Sequence, residues 1–517
     1  MSRAVTLGLL LAVVVALALR CPQLDERPMH NDEAVNAIKF RTLLETGAYR
    51  YDPNEFHGPT LSYLTLALAK FTSAPGFVDF TEARFRVLTI VFGVGLILLL
   101  PLVADGLGRW ATVVAALLTA ISPAMVFYSR YYIHEMLLVF FTFLALAAGW
   151  RYTQNRKISW ALLAGAAVGL MQATKETFVL TLAAAVAALV LNTLWIRKVA
   201  APSGSPPCKL CPKHLLAALG VWMVVALILF SSFFTNAAGP LDAVRTYMPW
   251  LHRNAGASPH IHGWSFYLER LAFFHTKGGP VWSEGLILGL AIVGIFAVFA
   301  RKGLQGANAD FIRFIAFYTI ILTGIYSVLA YKTPWCLLNF WHGMILLAGV
   351  GAVALVRWPR REWMQVSVAA MLLIGADQLA KQAWRAGVTF AADRQNPYVY
   401  AQTSPDILNL VDQVNALSKV SPDGHEMLVK VLAPDSDFWP LPWYFRGLDR
   451  VGWWAEMPTD PLAPVMVVST QFHTALDVDK THVMVGFFQL RPQTFFELYV
   501  RSDLWHAYLE SVKSRQP

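Results

Sequence analysis

Eleven apolar segments recur along this sequence and restrict what the chain can fold into. In lipid, a stretch of about 20 apolar residues crosses as an α-helix, because a helix satisfies its own backbone hydrogen bonds. Hydrophobic residues make up 56% of the 517 positions and charged residues 15%, whereas about 25% of residues are charged in an average soluble protein. We therefore predict a polytopic α-helical membrane protein. The segments cover residues 4–19, 86–105, 110–128, 133–150, 158–174, 177–195, 214–234, 281–300, 311–330, 335–356 and 363–380.

The positive charges between the segments predict how the chain is oriented. The apolar stretch 60–72 is only about thirteen residues long, which suits an interfacial helix better than a span. If this stretch does not cross, Lys and Arg concentrate on one side of the membrane. The short loops on the other side keep only Arg130, Lys175 and Lys332, which is the positive-inside pattern. We predict eleven spans in the cytoplasmic (plasma) membrane, with the N-terminus inside and the C-terminus outside.

The predicted topology divides the chain into two domains. Residues 1–380 form a transmembrane domain with two long outer loops. The first, 29–85, carries interfacial helices, and the second, 235–280, has the length and aromatic content of a lid. Residues 381–517 are less apolar and alternate between helix and strand patterns, which predicts a small soluble α/β domain with a partly parallel sheet on the outer face. The patterns are a helix at 404–418 and strands at 426–433, 464–469 and 482–490.

Several functional classes are excluded by what the sequence lacks. The net charge of +9 does not indicate nucleic-acid binding, because no basic run is interleaved with aromatic residues outside the spans. The sequence has no Walker lysine loop, no dinucleotide-binding glycine fingerprint, no GxSxG elbow and no HExxH helix. Cys208 and Cys211 with His214 are too few ligands for an ordinary structural zinc site. Any transfer reaction must therefore draw its energy from the substrate itself.

Two adjacent carboxylates, Asp32 and Glu33, stand at the start of the first outer loop. A carboxylate just outside the bilayer can accept the proton of a hydroxyl that attacks an activated carbon. The alternative is structural. Asn31 or Asp32 would cap an interfacial helix, and Glu33 would stabilise the first turn of that helix.

Two further groups of polar residues fall on the predicted outer face. Glu135 begins an apolar span directly after Arg130 and His134, so it is either part of a site or a complement to the helix dipole. His57 precedes Gly58 and Pro59, a rigid turn. This histidine is compatible with binding a metal, with binding phosphate, or with lying at the headgroup level.

Cations on the same face suit a phosphate leaving group, whose negative charge grows in the transition state. Lys175 and Glu176 interrupt an apolar hairpin, Lys332 and Trp335 lie in a short turn, and Arg86 stands at the start of the second span. The alternative for each cation is a basic residue that extends from a span end toward the headgroups.

This ordered set of motifs resembles the membrane glycosyltransferase superfamily with the C-type fold (GT-C). The superfamily includes protein O-mannosyltransferases and lipid A aminoarabinose transferases. Within it, the sequence resembles a family associated with flippase activity in archaeal N-glycosylation, together with its bacterial relatives. The resemblance covers nearly the whole chain. The motifs are Asp32-Glu33, Tyr51-Asp52-Pro53, His57-Gly58-Pro59, Ser129 to Glu135, Lys175-Glu176 and Lys332-Thr333-Pro334-Trp335.

The resemblance implies transfer of a sugar from a polyprenyl-phosphate donor, a lipid-linked co-substrate, to an acceptor at the outer face. The acceptor is a protein, a glycan or a lipid. An acid in the first outer loop of the superfamily acts as base or binds the acceptor, which implies this role for Asp32, and a second acid is matched by Glu135. The expected phosphate-binding residues are Arg86, Arg130, Lys175 and Lys332, and the expected substrate contacts are Glu33, His57, His134, Glu176 and Trp335.

Two other functions remain compatible with the sequence. A flippase component would move a lipid-linked glycan without bond chemistry, although broken helices paired across an internal repeat are not apparent. A scaffold would use residues 381–517 to recruit partners. A divalent metal is also compatible with the sequence, with Glu33, His57 and Glu135 as candidate ligands.

Overall fold

The structure is a computed structural model, and it describes residues 2–54, 57–71, 76–199, 211–250, 258–304, 306–473, 475–477 and 480–514. Helices dominate the chain as far as Thr389, and a mixed sheet follows. In the first half the helices are α1 (Arg3–Arg20), α2 (Asn31–Thr46), α3 (Thr60–Phe71), α4 (Glu82–Leu99), α5 (Ala104–Leu107), α6 (Arg109–Ile121), α7 (Pro123–Ser129), α8 (Glu135–Asn155), α9 (Ile158–Gln172), α10 (Phe178–Val199) and α11 (Pro212–Phe230).

The second half of the helical region completes the bundle. Its helices are α12 (Gly239–Arg245), α13 (Phe266–Ala272), α14 (Gly285–Ala300), α15 (Ala309–Val328), α16 (Leu338–Arg357) and α17 (Glu362–Trp384). The 3₁₀ turn Pro334–Leu337 leads into α16, and a π-helical turn, Arg385–Thr389, ends α17. Residues 251–257 of the predicted lid lie outside the described residues.

Each predicted apolar segment corresponds to a helix or to a pair of helices. Among the described residues, eight helices are long and apolar enough to cross a membrane, or nine if α6 and α7, bent by 58°, form one span. Two shorter apolar helices, α9 and α14, account for the remaining segments. The chain is thus an integral membrane protein. The number of eleven crossings and the orientation stay predictions. Helix α3 has twelve residues and is not among the span-length helices.

The centre of the bundle is α16, which is buried along most of its length. Glycines let it approach α14 closely. A Cβ placed on Gly351 would lie 1.9 Å from the Leu290 carbonyl oxygen, and one on Gly294 would lie 2.2 Å from the Leu347 oxygen. Small residues commonly allow such backbone contact between membrane helices. By contrast, Phe230 is the only residue of α11 that is buried, so α11 lies on the outside of the bundle.

The two ends of the bundle differ in their polar residues. A cavity of about 630 Å³ at one end is lined by Ser2, Arg109, Arg151 and Arg357 among others. These residues all belong to the side predicted to be cytoplasmic. The loops predicted to be external meet at the other end, where they surround the candidate site described below.

The C-terminal region folds around a five-stranded sheet with the order β2-β1-β3-β5-β4. Strand β1 pairs parallel with β2 and β3, whereas β5 pairs antiparallel with β3 and β4. The predicted partly parallel sheet is present, although β2 and β5 were not predicted. Solubility and an external location stay predictions. The elements are α18 (Ile407–Val420), β1 (Val429–Leu432), α19 (Leu441–Tyr444), β2 (Val451–Trp454), β3 (Val465–Ser469), β4 (His482–Arg491), β5 (Thr494–Arg501) and α20 (Ser502–Lys513).

Candidate active site

A cavity of about 240 Å³ lies where the loops before α2, before α8, between α9 and α10, and before α16 come together. Its wall contains polar residues from parts of the sequence that are up to three hundred positions apart. Seven of the predicted site residues line it, and they are Asp32, His57, His134, Glu135, Lys175, Glu176 and Trp335. The predicted residues outside its lining are Glu33, Arg86, Arg130 and Lys332.

Asp32 is the half-exposed acid of this cavity, with 47% of its side chain accessible. The helix cap here is His30, not Asn31 or Asp32 as the structural alternative proposed. The Nδ1 atom of His30 accepts the Asp32 backbone N–H at 3.1 Å, while Glu33 accepts the His30 N–H at 2.9 Å. This reciprocal arrangement is a capping box. The Asp32 carboxylate is therefore not used by the cap.

Glu33 lies in a closed cluster away from the cavity and is completely buried. Arg86 donates to it through Nε and Nη2, both at 2.9 Å, and Arg27 donates through Nη2 at 3.0 Å. The backbone N–H groups of His30 and Tyr132 also donate to it, each at 2.9 Å. Burial alone would raise the pKa of Glu33, but Arg27, Arg86 and these hydrogen bonds hold it well below its usual range.

The surroundings of Glu33 and Arg86 bear on two predictions. Both oxygens of Glu33 are already hydrogen-bonded to protein groups, which speaks against the predicted contact with substrate or a metal. Arg86 is 1% exposed and its guanidinium is used by Glu33 and by loop carbonyls, which speaks against the predicted binding of the donor phosphate. Both residues fix the loop that carries Asp32.

Arg130 and Lys332 also differ from the prediction of phosphate binding. Both side chains lie outside the cavity lining and donate to backbone carbonyls, which anchors loop segments. Burial, with nearby Arg27 and Arg86, lowers the pKa of Arg130 to about 9. The carbonyl acceptors belong to Arg20, Pro22 and Gln23 for Arg130, and to His262 and Leu329 for Lys332.

Glu135 and Lys175 form a buried ion pair in the cavity wall. Their side chains are 2% and 6% exposed, and the Lys175 ammonium donates directly to Glu135. Burial would lower the pKa of Lys175, but Glu135 and Glu176 raise it above its usual value, so this lysine stays charged. Glu135 is the first residue of α8, where the helix dipole also favours a carboxylate.

The turn at His57 is joined to the turn between α9 and α10. His57 forms a β-bridge with Lys175, and the Gly58 N–H donates to the Thr174 carbonyl at 3.1 Å. A Cβ on Gly58 would lie 2.0 Å from the Ala173 oxygen, so only glycine fits there. This contact places His57 Nδ1 3.2 Å from a Glu176 oxygen.

His134 lies next to His57 in the lining of the cavity. Its ring centroid is 4.8 Å from that of His57, and its Nδ1 atom is buried with no hydrogen-bond partner in the described part of the chain. Burial and the charges of His57 and Lys175 lower its pKa well below 6.5. His134 is therefore neutral at neutral pH, and its Nδ1 is available to a group bound in the cavity.

Sequence reasoning missed one cation and several aromatic residues in the wall. Lys39 lies seven residues after Asp32 on α2, a spacing that places both on one helix face, and this periodicity was the available signal. Burial, partly offset by Asp52, lowers the pKa of Lys39 to about 8. The missed aromatic residues are Tyr49, Trp250, Tyr267, Tyr326 and Tyr331.

The structure brings together two of the three candidate metal ligands. Within the described ranges, no three His, Cys, Asp or Glu side chains are grouped so as to hold a metal ion. Of the candidate ligands, His57 and Glu135 line the cavity and Glu33 does not. Cys208 lies outside the described residues, and His214 contacts the hydroxyl of Tyr152 at 3.2 Å.

The segment that follows α17 is hydrogen-bonded to the loop that precedes Asp32. This strap, residues 396–403, runs from the bundle to the C-terminal sheet. Gln402 also accepts hydrogen bonds from Arg27 and Tyr131. The remaining contacts of the loop are Gln402 Nε2 to the Pro28 oxygen at 3.1 Å, Thr403 Oγ1 to the Met29 oxygen at 2.7 Å, His30 Nε2 with the Tyr400 oxygen at 3.0 Å, and Met29 N to the Tyr444 hydroxyl at 2.8 Å.

This architecture, a helical membrane bundle with a polar cavity at one end and a sheet domain beside it, is similar in fold to the solved structure of ArnT, which is compared below. The predicted GT-C-like fold agrees with this similarity, while membership of the superfamily and of the narrower flippase-associated family stays a prediction. A family model for dolichyl-phosphate-mannose-protein mannosyltransferase matches residues 57–204. No curated protein matches the sequence significantly.

Among solved structures, ArnT from Cupriavidus metallidurans bound to undecaprenyl phosphate is similar, with 16% identity and a TM-score of 0.58. The similarity covers 95% of this chain and 97% of ArnT. Its apo state also gives a TM-score of 0.58 at 16% identity, over 96% of this chain and 98% of that one. The mycobacterial arabinofuranosyltransferase AftD, at 14% identity, has a TM-score of 0.48 over 97% of this chain and 42% of its own.

Proposed function

We propose that this protein transfers a sugar from a polyprenyl-phosphate donor to an acceptor at the outer face of the cytoplasmic membrane. The observation that carries the proposal is the cavity itself, in which the accessible carboxylate of Asp32 shares one wall with Lys39, Lys175 and His57. An acceptor needs a base, and a departing phosphate needs positive charge. The lining of this cavity contains both a carboxylate and positively charged side chains.

The reaction follows from the placement of these groups. Asp32 accepts the proton of the acceptor hydroxyl as its oxygen bonds to the anomeric carbon. The bond from that carbon to the phosphate oxygen breaks, and its electron pair stays on the polyprenyl phosphate. Lys175, held by Glu135, stabilises the growing negative charge, and Lys39 adds a second cation. Because the acceptor displaces the phosphate directly, the configuration at the anomeric carbon inverts.

The cavity dimensions agree with a lipid-linked donor. At about 240 Å³ it is smaller than the pockets of roughly 300–1,000 Å³ that enclose drug-sized ligands. It suits a sugar and its phosphate, while the polyprenyl chain stays in the bilayer. A lipid carrier also fits the predicted orientation, because nucleotide sugars are cytosolic. ArnT, which has this fold, binds undecaprenyl phosphate.

The transport alternative finds less support. A flippase needs a polar path through the bundle, but the two cavities of about 240 and 630 Å³ lie at opposite ends. Between them, α16 is packed with buried side chains such as Phe340, Trp341, Leu346 and Leu347. These observations favour chemistry at one end over passage through the centre.

The experiment measures loss of label from a radiolabelled polyprenyl-phosphate sugar in proteoliposomes, with cell-envelope extract as the acceptor source. Asp32→Asn should lower the rate by about 10²- to 10⁴-fold, and Glu135→Gln should also lower it strongly. Glu45→Gln is the matched control, because Glu45 is on the same helix in an exposed pair with Arg41, and it should stay within about twofold. Full transfer by both Asp32→Asn and Glu135→Gln would contradict the proposal.

A further inference from the structure

Four buried polar side-chain atoms on three neighbouring membrane helices have no hydrogen-bond partner in the described chain. None of the four residues lines the active-site cavity. Each of the four residues is at least 95% buried. The atoms are Oγ1 of Thr142 on α8, Oγ1 of Thr319 on α15, and Oδ1 of Asn339 and Nε2 of His342 on α16.

These atoms surround one small cavity. Thr142, Asn339 and His342 line it directly, together with Gly343. Thr319 belongs to the same group, because its Oγ1 would lie only 2.3 Å from a Cβ placed on Gly343. The volume is about 10 Å³, which is about the room that one water molecule requires. The other lining residues are Val139, Phe143, Leu146, Ile315, Tyr318 and Leu346, and the hydroxyl of Tyr318 is also without a hydrogen-bond partner in the described chain.

Four unsatisfied groups at one point inside a membrane protein carry a large free-energy penalty, because neither lipid nor bulk water can satisfy them. A single water molecule makes two to four hydrogen bonds when it is buried. It can donate to Asn339 Oδ1 and accept from a threonine hydroxyl. No carboxylate lines the cavity, so the site lacks the negative charge that would favour a cation. The chemistry therefore fits a neutral ligand.

We propose that this cavity is a binding site for one ordered water molecule held by Thr142, Thr319, Asn339 and His342. The water has a structural consequence for the active site. Asn339 Nδ2 donates to the Tyr326 hydroxyl at 3.3 Å, and Tyr326 lines the active-site cavity. Water bound to Oδ1 fixes the orientation of the Asn339 amide, and the amide in turn fixes Tyr326. The inference does not depend on the sugar-transfer reaction.

The decisive experiment replaces a hydroxyl by a methyl group and measures whether the thermal unfolding midpoint falls or rises. In detergent, Thr142→Val should lower the thermal unfolding midpoint by about 1–2 °C, because the bound water loses a partner. If the cavity is dry, the same substitution removes an unsatisfied hydroxyl and the midpoint rises. Thr319→Val repeats the test from another helix. Thr193→Val, at an exposed hydroxyl bonded to the Leu189 carbonyl, is the control and should leave the midpoint unchanged.

Two further measurements complete the test. A high-resolution experimental structure should show one density peak within hydrogen-bond distance of His342 Nε2, and a clear void at that position would overturn the proposal. Exchanging NaCl for KCl or choline chloride at constant ionic strength should not shift the midpoint. A shift that depends on the cation and disappears in Thr142→Val would assign the cavity to a monovalent ion and reject water. An unchanged or higher midpoint for both valine variants would also reject it.

Discussion

Two buried carboxylates, Glu33 and Glu135, begin helices beside the same cavity, yet they differ in what surrounds them. Five hydrogen bonds from Arg27, Arg86 and two backbone N–H groups reach Glu33. Glu135 pairs with the single ammonium of Lys175 and lies in the cavity lining. The first group, which we call the closed cluster, is complete within the protein. The second, the open pair, can respond to a bound substrate.

The choice of cation explains much of this difference. The planar guanidinium of arginine binds both oxygens of a carboxylate at fixed geometry, as Arg86 does with Glu33. The ammonium of lysine is a point charge on a flexible stem, so Lys175 can share its charge between Glu135 and a phosphate. Arginine therefore completes the cluster around Glu33, whereas the lysine beside Glu135 leaves that pair in the cavity lining.

The largest expected effect concerns the closed cluster. Glu33→Gln removes the charge that neutralises two buried guanidinium groups, and it should lower the free energy of unfolding by about 3–5 kcal/mol. Chemical denaturation followed by tryptophan fluorescence would measure the loss. The matched control is Glu45→Gln on the same helix, whose exposed pair with Arg41 should contribute less than about 1 kcal/mol. Equal stability of the two variants would contradict the structural role of Glu33.

Substitutions in the open pair should affect stability and activity differently. Removing both charges with Glu135→Gln and Lys175→Met leaves no unpaired ion, so the double variant should regain most of the stability lost by either single variant. Transfer should stay at least about 10²-fold below the parent protein, because the cation that faces the phosphate is gone. A double-mutant cycle, measured for unfolding and for initial rate, tests both halves. Recovery of the rate with stability would mean that the pair only supports the fold.

The helical bundle and the α/β character of residues 381–517 could be predicted because both depend on local patterns of hydrophobicity. Each predicted apolar segment coincides with a helix or a pair of helices. The predicted strands at 426–433, 464–469 and 482–490 coincide with β1, β3 and β4. Strand β2 was not predicted: it is as short as β1, but its four residues are half-buried, whereas those of β1 are all buried. Its pairing with β1 depends on contacts that a short pattern does not reveal.

The sequence predicted which loops form the site, but not which residues of those loops line the cavity. Asp32 and Glu33 are consecutive on α2, and consecutive helical residues point about 100° apart, so both cannot face one cavity. The sequence does not tell which of them turns inward. The sequence alone does not distinguish Arg86 from a phosphate-binding cation. Its partner Glu33 lies 53 positions away, and such a distant contact is not visible in a local pattern. Lys39 was missed although its helical spacing from Asp32 could have identified it.

A smaller effect should appear in the pH dependence of donor binding. The pKa of Lys39 is lowered to about 8, so this lysine loses its charge as the pH rises through that value. The KM for the polyprenyl-phosphate donor should rise above pH 8, approaching about tenfold per pH unit. Lys39→Arg keeps the charge and should flatten this rise, whereas Lys70→Arg on α3 should not. A pH-independent KM from 7 to 9.5 would remove Lys39 from the phosphate site.

The smallest expected effect tests whether the strap positions the closed cluster and, through it, Asp32. Gln402→Leu removes the hydrogen bonds to Arg27, Tyr131 and the Pro28 carbonyl without touching the cavity. Because Asp32 would shift while the cavity cations stay, kcat should fall about tenfold, with KM for the donor within about twofold.

The control for this variant is Gln365→Leu. Gln365 also donates its amide to a proline carbonyl, that of Pro359 at 2.9 Å, but it lies near the start of α17, outside the active-site cavity. Gln365→Leu should lose about 1 kcal/mol of stability and Gln402→Leu more, because it leaves buried partners unpaired, and only Gln402→Leu should lose kcat. If the two lose kcat equally, the effect is general loosening of the fold, and the strap has no specific role in placing Asp32. If Gln402→Leu raises KM instead, the strap acts on the cations of the open pair, and the closed cluster is not the element through which it works.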